Sequence, residues 1–330
     1  MSQGRGVFVV LVMLIFCFSL PRHSALAQDS PAIKDYSNNF IVRIYTLTKF
    51  NSLTIENPQV NRVLLLEPNG VTNLGIGFNY KKVGIGLTFG LPQSAESKRL
   101  YGSTRRFDLQ GSIYGSKLGG DGYLQYYQGY YNANPNDFID WPNEAFPQLS
   151  DMQVLSLGVS GFYIFNSKKY SYRAAFVRDE MQKSGAGSFL LGTFVYYDDA
   201  RTENGFIPQE FSDSAKAIID LKEIRNLAIG ISAGYAYNFI SWEKLIIGVA
   251  VIPGFGYQRV QIRDLEDIEG IENQPVGQVL IKASIGYDIG KLYFSSQGSV
   301  NFRNISYKSY EFGLSTEQFR VVAGYRFGVN

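Results

Sequence analysis

Leu74–Gly90 reads LGIGFNYKKVGIGLTFG. Leu74, Ile76, Phe78 and Tyr80 alternate with Gly75, Gly77 and Asn79; after Lys81-Lys82, Val83, Ile85, Leu87 and Phe89 alternate with Gly84, Gly86, Thr88 and Gly90. A two-residue period on both sides of a two-residue gap predicts a β-hairpin. The pattern recurs. Leu227, Ile229, Ile231, Tyr235 and Phe239 oppose Ala228, Gly230, Ser232, Gly234 and Asn238, and Val279, Ile281, Ile285 and Tyr287 oppose Gln278, Lys282, Gly286 and Asp288. Phe319, Val321, Tyr325 and Phe327 oppose Arg320, Gly324 and Arg326, and Tyr170–Val177 alternates in the same way. Such segments run about ten residues, enough to cross a bilayer at a tilt of ~45°.

One face of each segment is large and apolar, while the other carries Gly, Ala, Ser, Asn, Gln and some charge. A soluble sandwich has the same period, but its outward face should carry Lys, Glu and Thr rather than glycine. Small residues suit the concave wall of a closed barrel and large ones its lipid face. The predicted fold is therefore all-β: a transmembrane antiparallel up-and-down barrel of about 12 strands (12–14), spanning residues 40–330 after a polar segment, 28–39. Short connections (Lys81-Lys82, Gly290-Lys291) alternate with long polar ones at Leu91–Thr104, Asn132–Asp151 and Gln258–Pro275, as periplasmic turns and external loops do. Arg201–Asn226 breaks the alternation unless Phe206–Phe211 is a further strand. Within it, Asp213–Ile224 reads as a short helix.

The amino terminus stands apart. Arg5, the apolar run Val7–Leu20 and Ala25-Leu26-Ala27 have the layout of a secretory signal peptide, residues 1–27. Without it the chain holds neither Cys17 nor His23, its only cysteine and histidine, and 29 basic residues face 29 acidic ones once Arg5 and Arg22 leave the 31. The neutral balance gives no ground for nucleic-acid binding, and no disulfide, Cys/His metal site or cofactor site is expected. Loss of histidine removes the commonest general base, so no enzymatic activity is expected. Asp198-Asp199 point to opposite faces of a strand and read as a solvated strand end. Asp264, Glu266, Asp267, Glu269 and Glu272 read as a charged loop rather than a cation site.

Charged or amide residues on the small-residue face are the candidate lumen-lining set: Arg106, Asp108, Gln110, Arg173, Lys282, Asp288, Gln297, Arg303, Arg320 and Arg326. Mixed signs there either pair to fill a narrow barrel or line a path for solutes.

Leu47-Thr48-Lys49-Phe50, Glu67-Pro68-Asn69 with Leu74–Phe78, and Tyr170–Phe176 ahead of Gly187–Gly192 are similar to a family of predicted outer-membrane barrels from Bacteroidota that carries a domain-of-unknown-function label. The resemblance covers most of residues 36–330. It implies fold and location and brings no catalytic residues. Gly324, Tyr325 and Phe327 resemble the terminal signal that barrel-assembly machinery reads. The expected setting is the outer membrane, with its lipid, lipopolysaccharide and that machinery as partners and a monomeric state. Two roles fit: a small-solute channel or transporter, or a structural or interaction barrel with a filled lumen acting through its outer loops. A soluble secreted β-sandwich is the remaining alternative.

Overall fold

The computed structural model describes residues 32–80, 83–308 and 310–328; the leader lies outside them. The strands are β1 (Ile33–Asp35), β2 (Ile41–Asn57), β3 (Arg62–Pro68), β4 (Val71–Tyr80), β5 (Val83–Gly90), β6 (Arg105–Tyr114), β7 (Leu118–Asn132), β8 (Gln148–Ile164), β9 (Glu180–Gln182) and β10 (Ala186–Arg201). After these come β11 (Leu221–Ser241), β12 (Leu245–Asp264), β13 (Glu269–Ile289), β14 (Leu292–Tyr307) and β15 (Tyr310–Arg326). Among the described residues three short α-helices lie between strands, α1 (Ala95–Tyr101), α2 (Tyr172–Phe176) and α3 (Asp213–Lys216), with a 3-10 turn at Pro135–Asp137.

Antiparallel ladders run β2–β3–β7–β8–β10–β11–β12–β13–β14–β15 and return to β2, closing a ring of ten strands. β4, β5 and β6 lie outside this ring in the same 13-stranded sheet. The count is thus ten rather than 12–14. The difference has local causes. β3 and β4 are one descending run along β2, interrupted at Pro68-Asn69-Gly70, where proline lacks the ladder N–H. Tyr172–Phe176 is helical, and Phe206–Phe211 forms no strand. The predicted helix Asp213–Ile224 is only α3, because β11 already begins at Leu221. The expected loop Gln258–Pro275 is mostly the extension of β12 and β13, which pair as far as Arg263↔Glu269.

That extension reverses the rule for which face is apolar. In β11, Leu227, Ile229, Ile231 and Tyr235 point outward and are exposed, while Ala228, Ser232, Ala236 and Asn238 are buried inward. Nearer the upper end Arg225 takes the outward position and Ile224 is buried. β12 repeats this: Phe255 and Tyr257 are exposed outward, then Arg259 follows while Val260 and Ile262 turn in. Ile229, Ile231 and Phe255 are 61%, 65% and 65% exposed, a continuous apolar belt that water would penalise and hydrocarbon accepts. The single closed sheet with its apolar rows outside excludes a two-sheet sandwich. β11–β13, at 20–21 residues each, are about twice a membrane crossing, so the upper barrel stands clear of the bilayer and packs like a water-soluble protein.

Candidate functional site in the barrel interior

The interior is packed in layers. At the upper end, Phe206, Ile207, Phe211 and Ile219 from the β10–β11 connection are buried against Leu53, Leu64, Tyr130, Met152, Ile262 and Phe312 from strands all round the ring. These loop side chains form an apolar stopper.

Below it, ion pairs join strands that are not neighbours in the sheet, two of them across the lumen. Arg303 of β14 meets Asp198 of β10 at 3.1 Å, with Ser156 donating to the same carboxylate and Tyr123 accepting from the guanidinium. Asp198 is therefore no solvated strand end. Lys282 of β13 reaches Asp121 of β7 at 2.8 Å beside Tyr114 and Tyr172. Lys49 of β2 pairs with Asp108 of β6 at 2.5 Å, and Gln125 and Tyr127 donate to the other carboxylate oxygen.

At the end where β2 begins and β15 finishes, the β8–β10 connection folds inward. Tyr170 and Tyr172 pack on Phe162, Ile164, Leu190, Ala250 and Ile252, which face the lumen from three strands. Small residues give α2 its room: a Cβ at Gly248 would stand 2.5 Å from that of Ala175. Asn238 of β11 donates to the Ser171 carbonyl and to Gln182 Oε1. Arg173 holds Asp179 at 2.5 Å and Glu180 at 2.9 Å. Asp288 binds Arg178 and, at 2.6 Å, Arg326. β1 adds a strand to β9 here.

Of the ten residues singled out from sequence, Asp108, Lys282, Asp288, Arg303 and Arg326 join these networks. Arg106 donates to Asn73, Arg320 lies over the Tyr45 ring at 4.9 Å, and Gln297 faces Ser295. Gln110 is exposed on β6. Arg173 sits on α2 in the folded-in β8–β10 connection rather than on a wall strand. Sequence reading passed over Arg43, Lys49, Asp121, Arg178, Asp179 and Glu180. Alternation is blurred in β2 around Arg43 and Lys49, Asp121 stands beside a short connection, and Arg178, Asp179 and Glu180 belong to the folded-in connection. Among the described residues no group of three or more His, Cys, Asp or Glu could hold a metal ion. The acidic stretch is engaged locally: Lys222 binds Asp267 at 2.8 Å and holds its carboxyl below the usual range, and Arg263 binds Glu269 at 2.5 Å.

A membrane-spanning barrel with an occupied interior is the class this arrangement defines. Residues 27–327 match the family described as Domain of unknown function (DUF4421), and the chain belongs to that family. No curated protein matches the chain. Among solved structures it is similar to the outer-membrane protease OmpT from Escherichia coli (10% identity, 89% of this chain and 98% of that one, TM-score 0.34). It is also similar to the translocator domain of the autotransporter NalP from Neisseria meningitidis (13%, 99% and 97%, 0.38) and to the toluene transporter TodX from Pseudomonas putida (8%, 87% and 89%, 0.28). The expectation that the protein is not an enzyme is corrected here, since barrels of this kind include a protease and the fold does not exclude catalysis.

Proposed function

We propose that this protein is an outer-membrane barrel closed along its axis, exported through the cleaved leader 1–27, which acts by interaction at its upper end and wall rather than as an open solute pore. The lower end, carrying the first and last barrel strand ends, faces the periplasm in this reading. Lipid and lipopolysaccharide surround the belt, barrel-assembly machinery inserts it, and it works as a monomer.

The observation that carries the reading is the stacking of three seals in one lumen: the apolar cluster around Phe206 and Phe211, the cross-lumen pairs Arg303–Asp198 and Lys282–Asp121, and the Tyr172 stopper. A hydrated ion would have to break buried ion pairs, each costly to open. The alternative small-solute channel requires all three to move. Planar-bilayer recording of the refolded protein tests this. Wild type is expected to stay silent, and removal of all three seals, by replacing the segment 170–182 together with Phe206→Ala, Phe211→Ala, Arg303→Ser, Asp198→Ser, Lys282→Ser and Asp121→Ser, is expected to produce steps. Discrete steps from wild type overturn the closed-axis reading.

A further inference from the structure

The ring closes through β3 only over its upper half. β3 pairs with β7 at just Leu66↔Asn132, Glu67↔Tyr131 and Pro68↔Tyr130. Below that point the wall forks. β4 and β5 follow the lower half of β2, β6 follows the lower half of β7, and among the described residues no ladder joins β5 to β6. The fork is built in. Gly129 sits at φ +91° at a register shift in β7, and a Cβ there would meet the Ser103 carbonyl oxygen at 2.2 Å. Asn69 fastens the top: its N–H donates to Thr104 Oγ1, and its side chain donates to the Gly102 carbonyl at 2.7 Å and accepts from Ser97 Oγ.

Beneath this lintel lies a lateral slot. Inward-facing residues elsewhere are mostly buried, yet Thr88 on β5 and Gln110 and Ser112 on β6 are exposed, as are their outward neighbours Leu87, Leu109 and Ile113. Open sheet edges are not tolerated against hydrocarbon unless they line a polar cavity, so the slot requires polar contents.

What faces the slot from inside is cationic. Arg43 and Tyr45 of β2 lie flat across the glycine face of the β4–β5 hairpin. A Cβ at Gly77 would be 2.6 Å from Arg43 Nε, and one at Gly75 2.3 Å from the Tyr45 ring; the Tyr45 hydroxyl reaches Gly86 on β5 itself. The glycines thus let two long side chains extend toward the free edge. Arg320 stacks on Tyr45, and the Arg43 charge is near enough to bear on it. Asp108 is the nearby carboxylate, and Lys49 occupies it. Arg43 and Arg320 make no ion pair among the described residues, and Arg43 Nε is buried without a hydrogen-bond partner. Uncompensated arginines at membrane depth mark a functional site, and guanidinium forks match phosphate and carboxylate oxygens.

We propose that the slot between β5 and β6 admits an anionic lipid from the bilayer, its headgroup oxyanion held by Arg43 and Arg320 and its acyl chain left along Leu87, Leu109 and Ile113. The headgroup meets the need for polar contents, and the chain stays in hydrocarbon. The proposal rests on the bilayer setting of that reading but not on the closed axis, so silence or conductance tests the axis while lipid retention tests the slot.

The full chain, reconstituted in mixed phosphatidylglycerol–phosphatidylcholine nanodiscs and transferred to detergent, tests it by quantifying retained lipid. Wild type is expected to enrich phosphatidylglycerol about tenfold over phosphatidylcholine. Arg43→Gln with Arg320→Gln is expected to abolish the enrichment, and Arg259→Gln, on the outer face of β12, to leave it intact. If the double variant does not give the heat-modifiable folded band, the charge-retaining Arg43→Lys and Arg320→Lys serve instead, with enrichment falling several-fold. Equal retention of both lipids by wild type, or enrichment that survives loss of both arginines, overturns the proposal. Displacement of phosphatidylglycerol by millimolar inorganic phosphate overturns the lipid assignment in favour of a free-anion site.

Discussion

Arg303 and Asp198 touch at 3.1 Å across the lumen from β14 and β10, two strands separated by three others in the sheet, and both side chains are almost wholly buried. Such a pair binds opposite walls of the barrel. It also stakes much on completeness, because a buried charge that loses its partner is far more costly than no charge at all.

Removing one member is therefore expected to be worse than removing both. Arg303→Met should lower unfolding stability by about 3–5 kcal/mol, whereas Arg303→Met with Asp198→Asn should recover a large part of that loss. Urea unfolding of the three proteins in the same detergent measures the difference. Equal losses in the single and double variants would show that the pair is not electrostatically coupled.

The stopper at the lower end depends on absent side chains. Gly248→Val places a Cβ where Ala175 already stands and should cost about 1–3 kcal/mol through overpacking. The segment around α2 should become cleavable by added protease while the barrel keeps its heat-modifiable gel shift. Unchanged cleavage would mean that α2 does not lie against β12.

Phe211 makes the corresponding test of the upper stopper. It is buried against Phe138 and Trp141 as well as the strand residues. Phe211→Ala should cost about 3–5 kcal/mol and increase hydrogen exchange in 202–220 more than in β11 below Ala228. Uniform exchange along both would show that the loop is not seated in the barrel mouth.

A pH effect is expected at the upper rim. The Tyr310 hydroxyl donates to Asp220 Oδ1 at 3.0 Å, and burial followed by that carboxylate pushes its pKa up to about 12. The unfolded value is about 10. A raised pKa on an acid means that the folded protein favours the neutral form, so the contribution is complete below pH ~10 and lost between ~10 and ~12. The difference in Tm between wild type and Tyr310→Phe should be constant from pH 7 to 9 and shrink above 10. A difference independent of pH would deny the hydrogen bond.

Several features were legible because they depend on one strand at a time. The alternation in 227–239 and 279–289 needs only a pleated strand between two unlike environments, and it marked both the lipid face and the inward positions of Lys282 and Asp288. Tyr170–Val177 misled for the same reason. Its alternating pattern is compatible with a strand, but Ser171 caps a helical turn by accepting from the Ala174 N–H, and that turn packs inside the lumen. Glu266 and Asp267 do lie in a connecting turn, but the strands β12 and β13 take up most of 258–275, because above the bilayer polar residues move to the outside face and Val260 and Ile262 turn inward.

The sequence by itself determined that this chain builds amphipathic strands with hydrocarbon-matched faces, since side-chain direction reverses at every residue and the pattern must match whatever lies on each side. Tertiary structure alone decided how those strands close and what fills them. Register, the break at Pro68–Gly70 and the bulge at Gly129 set ten strands in the ring and leave β5 and β6 apart. Which arginine finds a carboxylate depends on walls meeting across a lumen, a distance that no local pattern encodes. Asp198 meets Arg303 there, while Arg43 is laid across glycines toward an open edge.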